Sequence, residues 1–168
     1  MHRPSFRALA AAALLAAGLG APVGAVELGD EAPAFSAPGL GGGTVSLAAH
    51  RGKVVYLDFW ASWCGPCAKS LPALDQLRKE FAPGDFQIVA VNLDRNPAVA
   101  AKFLKQRPVG YPSAIDPKGS LPARFGVEAM PTSFLIDREG VVQYVHRGFR
   151  DTDVEPLRRQ IQKLVAAR

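Results

Sequence analysis

The sequence predicts an α/β domain built on a mixed sheet, and three observations point to it. "KVVYLDFW" (53–60) and "FQIVAVNL" (86–93) are near-continuous apolar runs of strand-forming residues, the pattern of central strands covered on both faces. Each is followed by a stretch of helical character, so strands and helices alternate along the chain. Farther on, "TSFLID" and "VVQYVHRG", joined by the turn "REG", read as an antiparallel hairpin.

Taken in order, the chain opens with "MHRPSFR", which supplies positive charge, then the short apolar run "ALAAAALLAAGLG", then "APVGA" with small residues at Val23 and Ala25. That layout predicts a secretory signal peptide over 1–25 and a mature domain over 26–168. The run is shorter than the roughly 20 apolar residues that span a bilayer, and no cysteine follows to carry a lipid. The alternative is an uncleaved membrane anchor. "AFSA" and "TVSL", with the Gly-rich "GLGGG" between them, predict a short hairpin ahead of the first long strand. After that strand, Leu71, Leu74, Leu77 and Phe81 recur at helical spacing from Cys67 onward, with Pro72 placed to kink the helix.

"PAVAAKFLKQR" predicts a helix with Pro97 in its first turn, "YPSAID" a short strand, and "SLPARFG" a brief helix ended by Gly126. The last helix, "DTDVEPLRRQIQKLVAA", places Val154, Leu157, Ile161 and Leu164 on one face, with Thr152 and Glu155 at capping-box spacing. At 168 residues the whole suits one domain, and no repeat or linker interrupts it. The formal charge is +5, and about +3 once Arg3 and Arg7 leave with the signal. The basic residues are scattered rather than clustered, which argues against a nucleic-acid partner.

The two cysteines of the chain, Cys64 and Cys67, enclose only Gly65 and Pro66. A structural bridge gains by closing a long loop, so one closing two residues would staple almost nothing. Structural zinc wants four ligands, and there is no second cysteine pair. A site from Cys64, Cys67, His50 and His146 lacks any supporting ligand spacing. What remains is a disulfide that is made and broken. A strand ending at Trp60 and a helix starting near Cys64 put that sulfur at a helix N-terminus, where unpaired N–H groups and the helix dipole favour the thiolate. Cys64 is therefore expected to be the exposed, attacking thiol and Cys67, one turn inside, the resolving thiol. Pro66 suits the first turn of a helix, and Gly65 leaves room for another chain to approach. Asp58, a carboxylate inside an apolar strand just before the cysteines, is expected to lie buried beneath them. Burial would raise its pKa toward the range where it can take and return the proton of Cys67. The alternative is an edge-strand residue facing water. Pro131 marks a turn before a strand, and by residue chemistry alone the Met130–Pro131 bond would be trans.

"DFWASWCGPC", the helix proline Pro72 and "MPTSFLIDREGVVQYVHRG" resemble the thioredoxin superfamily. The opening "LGDEAPAFSAPGL", "TVSLAAHRGKVVYLDFW" and the additional "PAVAAKFLKQRPVGYPSAID" resemble, more narrowly, the exported TlpA-like branch, which includes reductases of cytochrome c maturation. The resemblance implies a thioredoxin-like fold: a central mixed sheet flanked by helices, with an N-terminal hairpin and an inserted helix and strand. It implies a cis Met130–Pro131 bond, a substrate groove lined by Trp63, Met130, Pro131 and Gly148 beside Gly65 and Pro66, and a catalytic set of Cys64, Cys67 and Asp58. It also implies disulfide-containing exported proteins as substrates, a membrane thiol donor as electron source, and a periplasmic location. No cofactor is called for, and the chain is read as a monomer. Two positions depart from the cytochrome c branch: Ser70 stands where a glutamate is frequent, and "VEAMPT" keeps only Glu128 of a more acidic pattern.

The uncharged Gly65–Pro66 pair predicts a potential nearer the roughly −270 mV of thioredoxin than the −120 mV of DsbA, hence a reductase. An oxidase or isomerase of the same fold is the runner-up. A metallochaperone or other non-enzymatic binding module is disfavoured because Met1 and Met130 are the only methionines. A peroxidase is disfavoured because its single peroxidatic cysteine would lack a resolving partner at this spacing.

Overall fold

The computed structural model describes residues 24–167. The signal segment read over 1–25 lies, but for its last two residues, outside the described residues. A small antiparallel hairpin comes first, β1 (Ser36–Pro38) and β2 (Thr44–Ser46). The elements that follow are β3 (Val54–Trp60), α1 (Gly65–Arg78), β4 (Phe86–Asn92), α2 (Pro97–Gln106), β5 (Ser113–Ile115), α3 (Ser120–Phe125), β6 (Thr132–Ile136), β7 (Val142–Arg147) and α4 (Val154–Ala166). The main sheet runs β5-β4-β3-β6-β7, parallel from β5 to β3 and antiparallel from β3 to β7. This is the thioredoxin-like arrangement the sequence predicts.

β3 is the central strand, and all seven of its residues are buried, which is why its sequence is apolar on both faces. Its alternation sorts the core into two layers. Val54, Tyr56 and Trp60 pack with Cys67, Leu71, Leu74 and Leu77 of α1 and with Leu157 and Ile161 of α4. Val55, Leu57 and Phe59 pack on the other side with Phe35, Val45, Leu121 and Phe125. There Phe59, Phe125 and Phe134 form an aromatic triangle with centroids 5.3 to 6.1 Å apart. Each such fully buried apolar side chain contributes roughly 1.5–3 kcal/mol.

Helix ends mostly follow the sequence reading. Asn96 caps α2 through Ala98 N–H, 3.0 Å, and Gly126 ends α3 in the left-handed region at φ +66°. A side chain at Gly126 would also meet Ala25 Cα at 2.3 Å, so glycine is required twice over. α1 continues through Pro72 as one helix. The capping box expected from Thr152 and Glu155 does not form. A 3₁₀ turn over Asp151–Asp153 precedes α4, and Asp153 Oδ2 accepts from Arg150 N–H at 2.8 Å instead. Glu155 is turned outward to Arg158 and Arg159. Among the described residues, no helix is long and apolar enough to cross a membrane.

Candidate active site

Cys64 is the N-cap of α1, in extended conformation (φ −84°, ψ 107°), directly past the end of β3. Its Sγ accepts the Cys67 N–H at 3.2 Å, the bond an N-cap side chain ordinarily makes with an orphan amide. Pro66, which has no N–H to satisfy, occupies the first turn. The two sulfurs are bonded to each other, S–S 2.04 Å, with Cα atoms 5.3 Å apart. Cys64 keeps 5 % exposure and Cys67 none. Cys64 is thus less open than the sequence suggests, yet it keeps some exposed surface and borders the groove described below, while Cys67 keeps none.

The turn that delivers Cys64 is fastened from β4. Asp94, just past the end of that strand, accepts Ser62 N–H at 3.0 Å and Ser62 Oγ–H at 2.7 Å, and it is oriented in turn by Asn92 Nδ2 at 2.7 Å. Trp60 Nε1–H donates to Ser113 Oγ at 3.0 Å, tying the end of β3 toward β5. Sequence reasoning passed over Asp94 and Ser113. Nothing local marks them, since their partners lie 32 and 53 residues away.

A groove runs past Cys64 between Trp63, Pro66, Leu93, Pro122 and Met130. Trp63 stands 69 % exposed beside it, among the few exposed large apolar residues. Met130 also borders a second recess with Pro131, Gly148, Thr132 and Arg147. The Met130–Pro131 bond is cis, as the resemblance implies, and Pro131 C=O accepts Gly148 N–H at 2.8 Å. Gly148 holds φ +79° with open space where a side chain would point, so the wall there is bare backbone. Trp63, Pro66 and Met130 therefore gather at Cys64, while Pro131 and Gly148 lie one recess farther along. Gly65 borders neither recess and faces open surface.

Asp58 is fully buried on β3 between Tyr56 and Trp60, on the face that packs with Cys67. The reading of an edge residue facing water is excluded. Its neighbour on β4 is Ala90 and on β6 Ser133. Ser133 Oγ–H donates to Asp58 Oδ1 at 2.6 Å, while Oδ2 has no partner. Burial pushes this carboxyl up to about 7, against the opposing pull of the Ser133 hydrogen bond. His146, considered above as a metal ligand, has both ring nitrogens engaged, Nδ1 with Tyr56 at 2.8 Å and Nε2 with Asp153 at 3.3 Å. His50 lies beside Val55 and Ile136, on the opposite face of the sheet from the cysteines.

Comparison with known proteins agrees with this geometry. The Redoxin family model matches residues 27–161. The thiol-disulfide oxidoreductase ResA of Bacillus thuringiensis subsp. konkukian is 38% identical over 117 residues, 70% of this chain and 68% of its own. The crystal structure of a thiol:disulfide interchange protein DsbE from Chlorobium tepidum superposes with a TM-score of 0.81 at 49% identity, covering 84% of this chain and all (100%) of that one. An exposed lipoprotein thioredoxin of Streptococcus pneumoniae gives a TM-score of 0.68 at 33% identity, over 79% of this chain and 100% of its own.

Proposed function

Because the chain belongs to the Redoxin family, within the TlpA-like branch of the thioredoxin superfamily, and is a thiol-disulfide oxidoreductase, we propose that it reduces disulfides of exported proteins through a Cys64–Cys67 cycle. The observation that carries this reading is the pair itself: a bridged Cys64–Cys67 at the N-terminus of α1, with Cys64 lining an apolar groove.

The reduced protein docks a substrate segment along Trp63, Met130, Pro131 and Gly148, with Gly65 and Pro66 leaving the approach clear. Cys64 thiolate, favoured by the amides of the first helical turn, attacks a substrate sulfur, forming the mixed disulfide and expelling the first substrate thiolate. Asp58 then takes the proton of Cys67. The Cys67 thiolate attacks Cys64 Sγ, the Cys64–Cys67 bond forms, and the second substrate thiolate leaves with the electron pair. The substrate is reduced by two electrons and the protein oxidised by two.

Several features support an extracytoplasmic reductase. The first 25 residues have the layout of a signal peptide, and the pneumococcal relative is named an exposed lipoprotein. In an oxidising compartment the disulfide form accumulates, so a membrane thiol donor recharges the protein, which acts as a monomer. Its clients include the cysteine-bearing proteins of cytochrome c maturation or oxidase assembly. Ser70, where that branch favours glutamate, donates to the Cys67 carbonyl at 3.2 Å and adds no charge beneath the pair. N-terminal sequencing of exported protein is expected to begin near Val26. An intact Met1 would mean a retained anchor.

Direction is tested by equilibration with glutathione. No charge or imidazole lies between the cysteines, so the thiolate gains little beyond the helix terminus. A potential near that of thioredoxin, about −270 mV, is expected. Pro66→His should raise it by roughly 30–60 mV, since a cationic ring beside Cys64 stabilises the reduced form and 30 mV is about 1.4 kcal/mol for two electrons. A wild-type value more oxidising than about −180 mV, the range of disulfide isomerases, would make the protein an oxidase or isomerase.

A further inference from the structure

Asp58 has no exposed surface, yet the role proposed for it requires gaining and losing a proton once per turnover. A line of polar side chains leads away from it across the sheet. Ser133, on β6 directly opposite Asp58, donates to Oδ1 at 2.6 Å. The Tyr56 hydroxyl lies on the same face beside Ser133, without a direct hydrogen bond to it in this structure, and it meets His146 Nδ1 at 2.8 Å. His146 Nε2 meets Asp153 Oδ2 at 3.3 Å, and the Asp153 side chain is 30% exposed.

The register explains how this line arises. Asp58 pairs with Ser133, and Ser133 with His146, so all three share one face of β3, β6 and β7. Tyr56, two residues before Asp58, shares that face, and Ser133 is small enough for its ring to reach across β6 to His146. A larger residue at 133 would close the passage.

Resting on the acid–base role given to Asp58 above, we propose that Ser133, Tyr56 and His146 form a proton relay connecting Asp58 to solvent at Asp153. The transfer balances atom by atom. After Cys67 gives up its proton, Asp58 O–H donates to Ser133, Ser133 O–H to Tyr56, Tyr56 O–H to His146 Nδ1, and His146 Nε2–H to Asp153. Each of the first three protons then moves one place along. Asp58 becomes a carboxylate accepting from Ser133, Tyr56 donates to Ser133, and His146 becomes an imidazolium that donates to both Tyr56 and Asp153. The imidazolium releases its Nε2 proton to water and keeps the one on Nδ1. The chain is reset when the same hops run inward, from a proton taken up at Nε2 to Asp58, as the pair is recharged and Cys67 takes a proton back. Imidazole suits the last station because one ring nitrogen can take a proton while the other gives one up, and the Asp153 carboxylate beside it balances the transient positive charge.

The surroundings leave this route undisturbed. Asp58 is faced by Tyr56 of its own strand, Ser133 of β6, Tyr111 and, from α1, Cys67. His146 is faced by Tyr56 of β3, Tyr144 of its own strand, stacked at 6.1 Å, Phe149, and Asp153 ahead of α4, which also accepts from Arg150. The exit opens into a recess shared by His146, Asp153, Gly148 and Pro66, on the side of the molecule where substrate docks. None of these residues need touch substrate. They act through Asp58.

The test is single-turnover reduction of insulin disulfides by the reduced full-length protein, followed over pH 5.5–9 for wild type, Tyr56→Phe, Ser133→Ala, His146→Ala and Asp58→Asn, and for Tyr56→Phe in the Asp58→Asn background. General acid–base assistance is worth about 10²–10⁴-fold, and loss of one relay station, with slower routes remaining, should slow release of the mixed disulfide roughly tenfold near pH 7. Tyr56→Phe should change the rate no further once Asp58 is Asn, since two groups acting in series share one effect. Free imidazole should restore the rate of His146→Ala but not that of Tyr56→Phe. Equal slowing by Tyr56→Phe in both backgrounds would mark Tyr56 as merely structural and overturn the relay. So would a wild-type rate and pH profile in Tyr56→Phe while Asp58→Asn is slow. If Asp58→Asn itself matches wild type, the acid–base role fails and the relay with it, whereas loss of insulin reduction by the wild-type protein would sink the reductase reading instead.

Discussion

Cys64→Ala is expected to abolish disulfide reduction altogether, and Cys67→Ser to stop it one step later, with substrate left covalently attached to Cys64. The asymmetry follows from position. Cys64 caps α1 and lines the groove, while Cys67 lies inside the first turn with no exposed surface. An external disulfide can therefore be reached only by Cys64, and the second sulfur can react only with what Cys64 presents. Non-reducing electrophoresis of Cys67→Ser incubated with periplasmic extract should show discrete mixed disulfides that collapse on addition of dithiothreitol. Mass spectrometry of those adducts would name the clients. The roles are reversed if alkylation of the reduced protein at low pH labels Cys67 before Cys64.

The second large effect belongs to Asp58, and it has opposite signs for rate and stability. Its carboxyl titrates at about 7 in the folded chain against 3.8 for an ordinary aspartate. Between those values the folded state holds a proton that the unfolded state has released. Stability therefore falls as pH rises through the window from about 4 to about 7 and is level above it. Three pH units amount to about 4 kcal/mol, an upper bound that relaxation around the charge reduces. Asp58→Asn should thus be more stable than wild type by about 2–4 kcal/mol above pH 7, with the difference fading toward pH 4. The same substitution should slow exchange by one to two orders of magnitude near neutrality, about the lower range of general acid–base assistance, and flatten the pH–rate profile around 7. Urea unfolding at pH 4, 7 and 8.5 checks the first statement. A stability gap that stays constant across that range would mean Asp58 carries its charge into the fold without cost.

Much of the site was legible before the fold was known, because its signals are local. Two cysteines separated by Gly65 and Pro66, placed where a buried strand meets a helix, specify a sulfur at a helix terminus from spacing alone. The carboxylate at Asp58 stands out because every neighbour on its strand is apolar. Even the cis bond at Pro131 was reachable, though only through resemblance, since residue chemistry by itself favours trans. The capping box at Thr152 and Glu155 shows the reverse: the spacing was right, but Asp153 was better placed to take the Arg150 amide and the helix started later.

What the sequence by itself determined is everything governed by period and by near neighbours: the order of strands and helices, the central strand buried on both faces, the helix that begins at the redox pair, and the carboxylate within the strand. What only the tertiary structure decided is which side chains meet across the sheet. Asp94 holds Ser62 from a neighbouring strand, Ser133 reaches Asp58 across 75 positions of chain, and Tyr56 spans β6 to find His146 at a separation of 90. Such partners are set by strand order and register. These emerge only when the whole core closes, because a shift of a single residue would turn Ser133 and His146 to the opposite face.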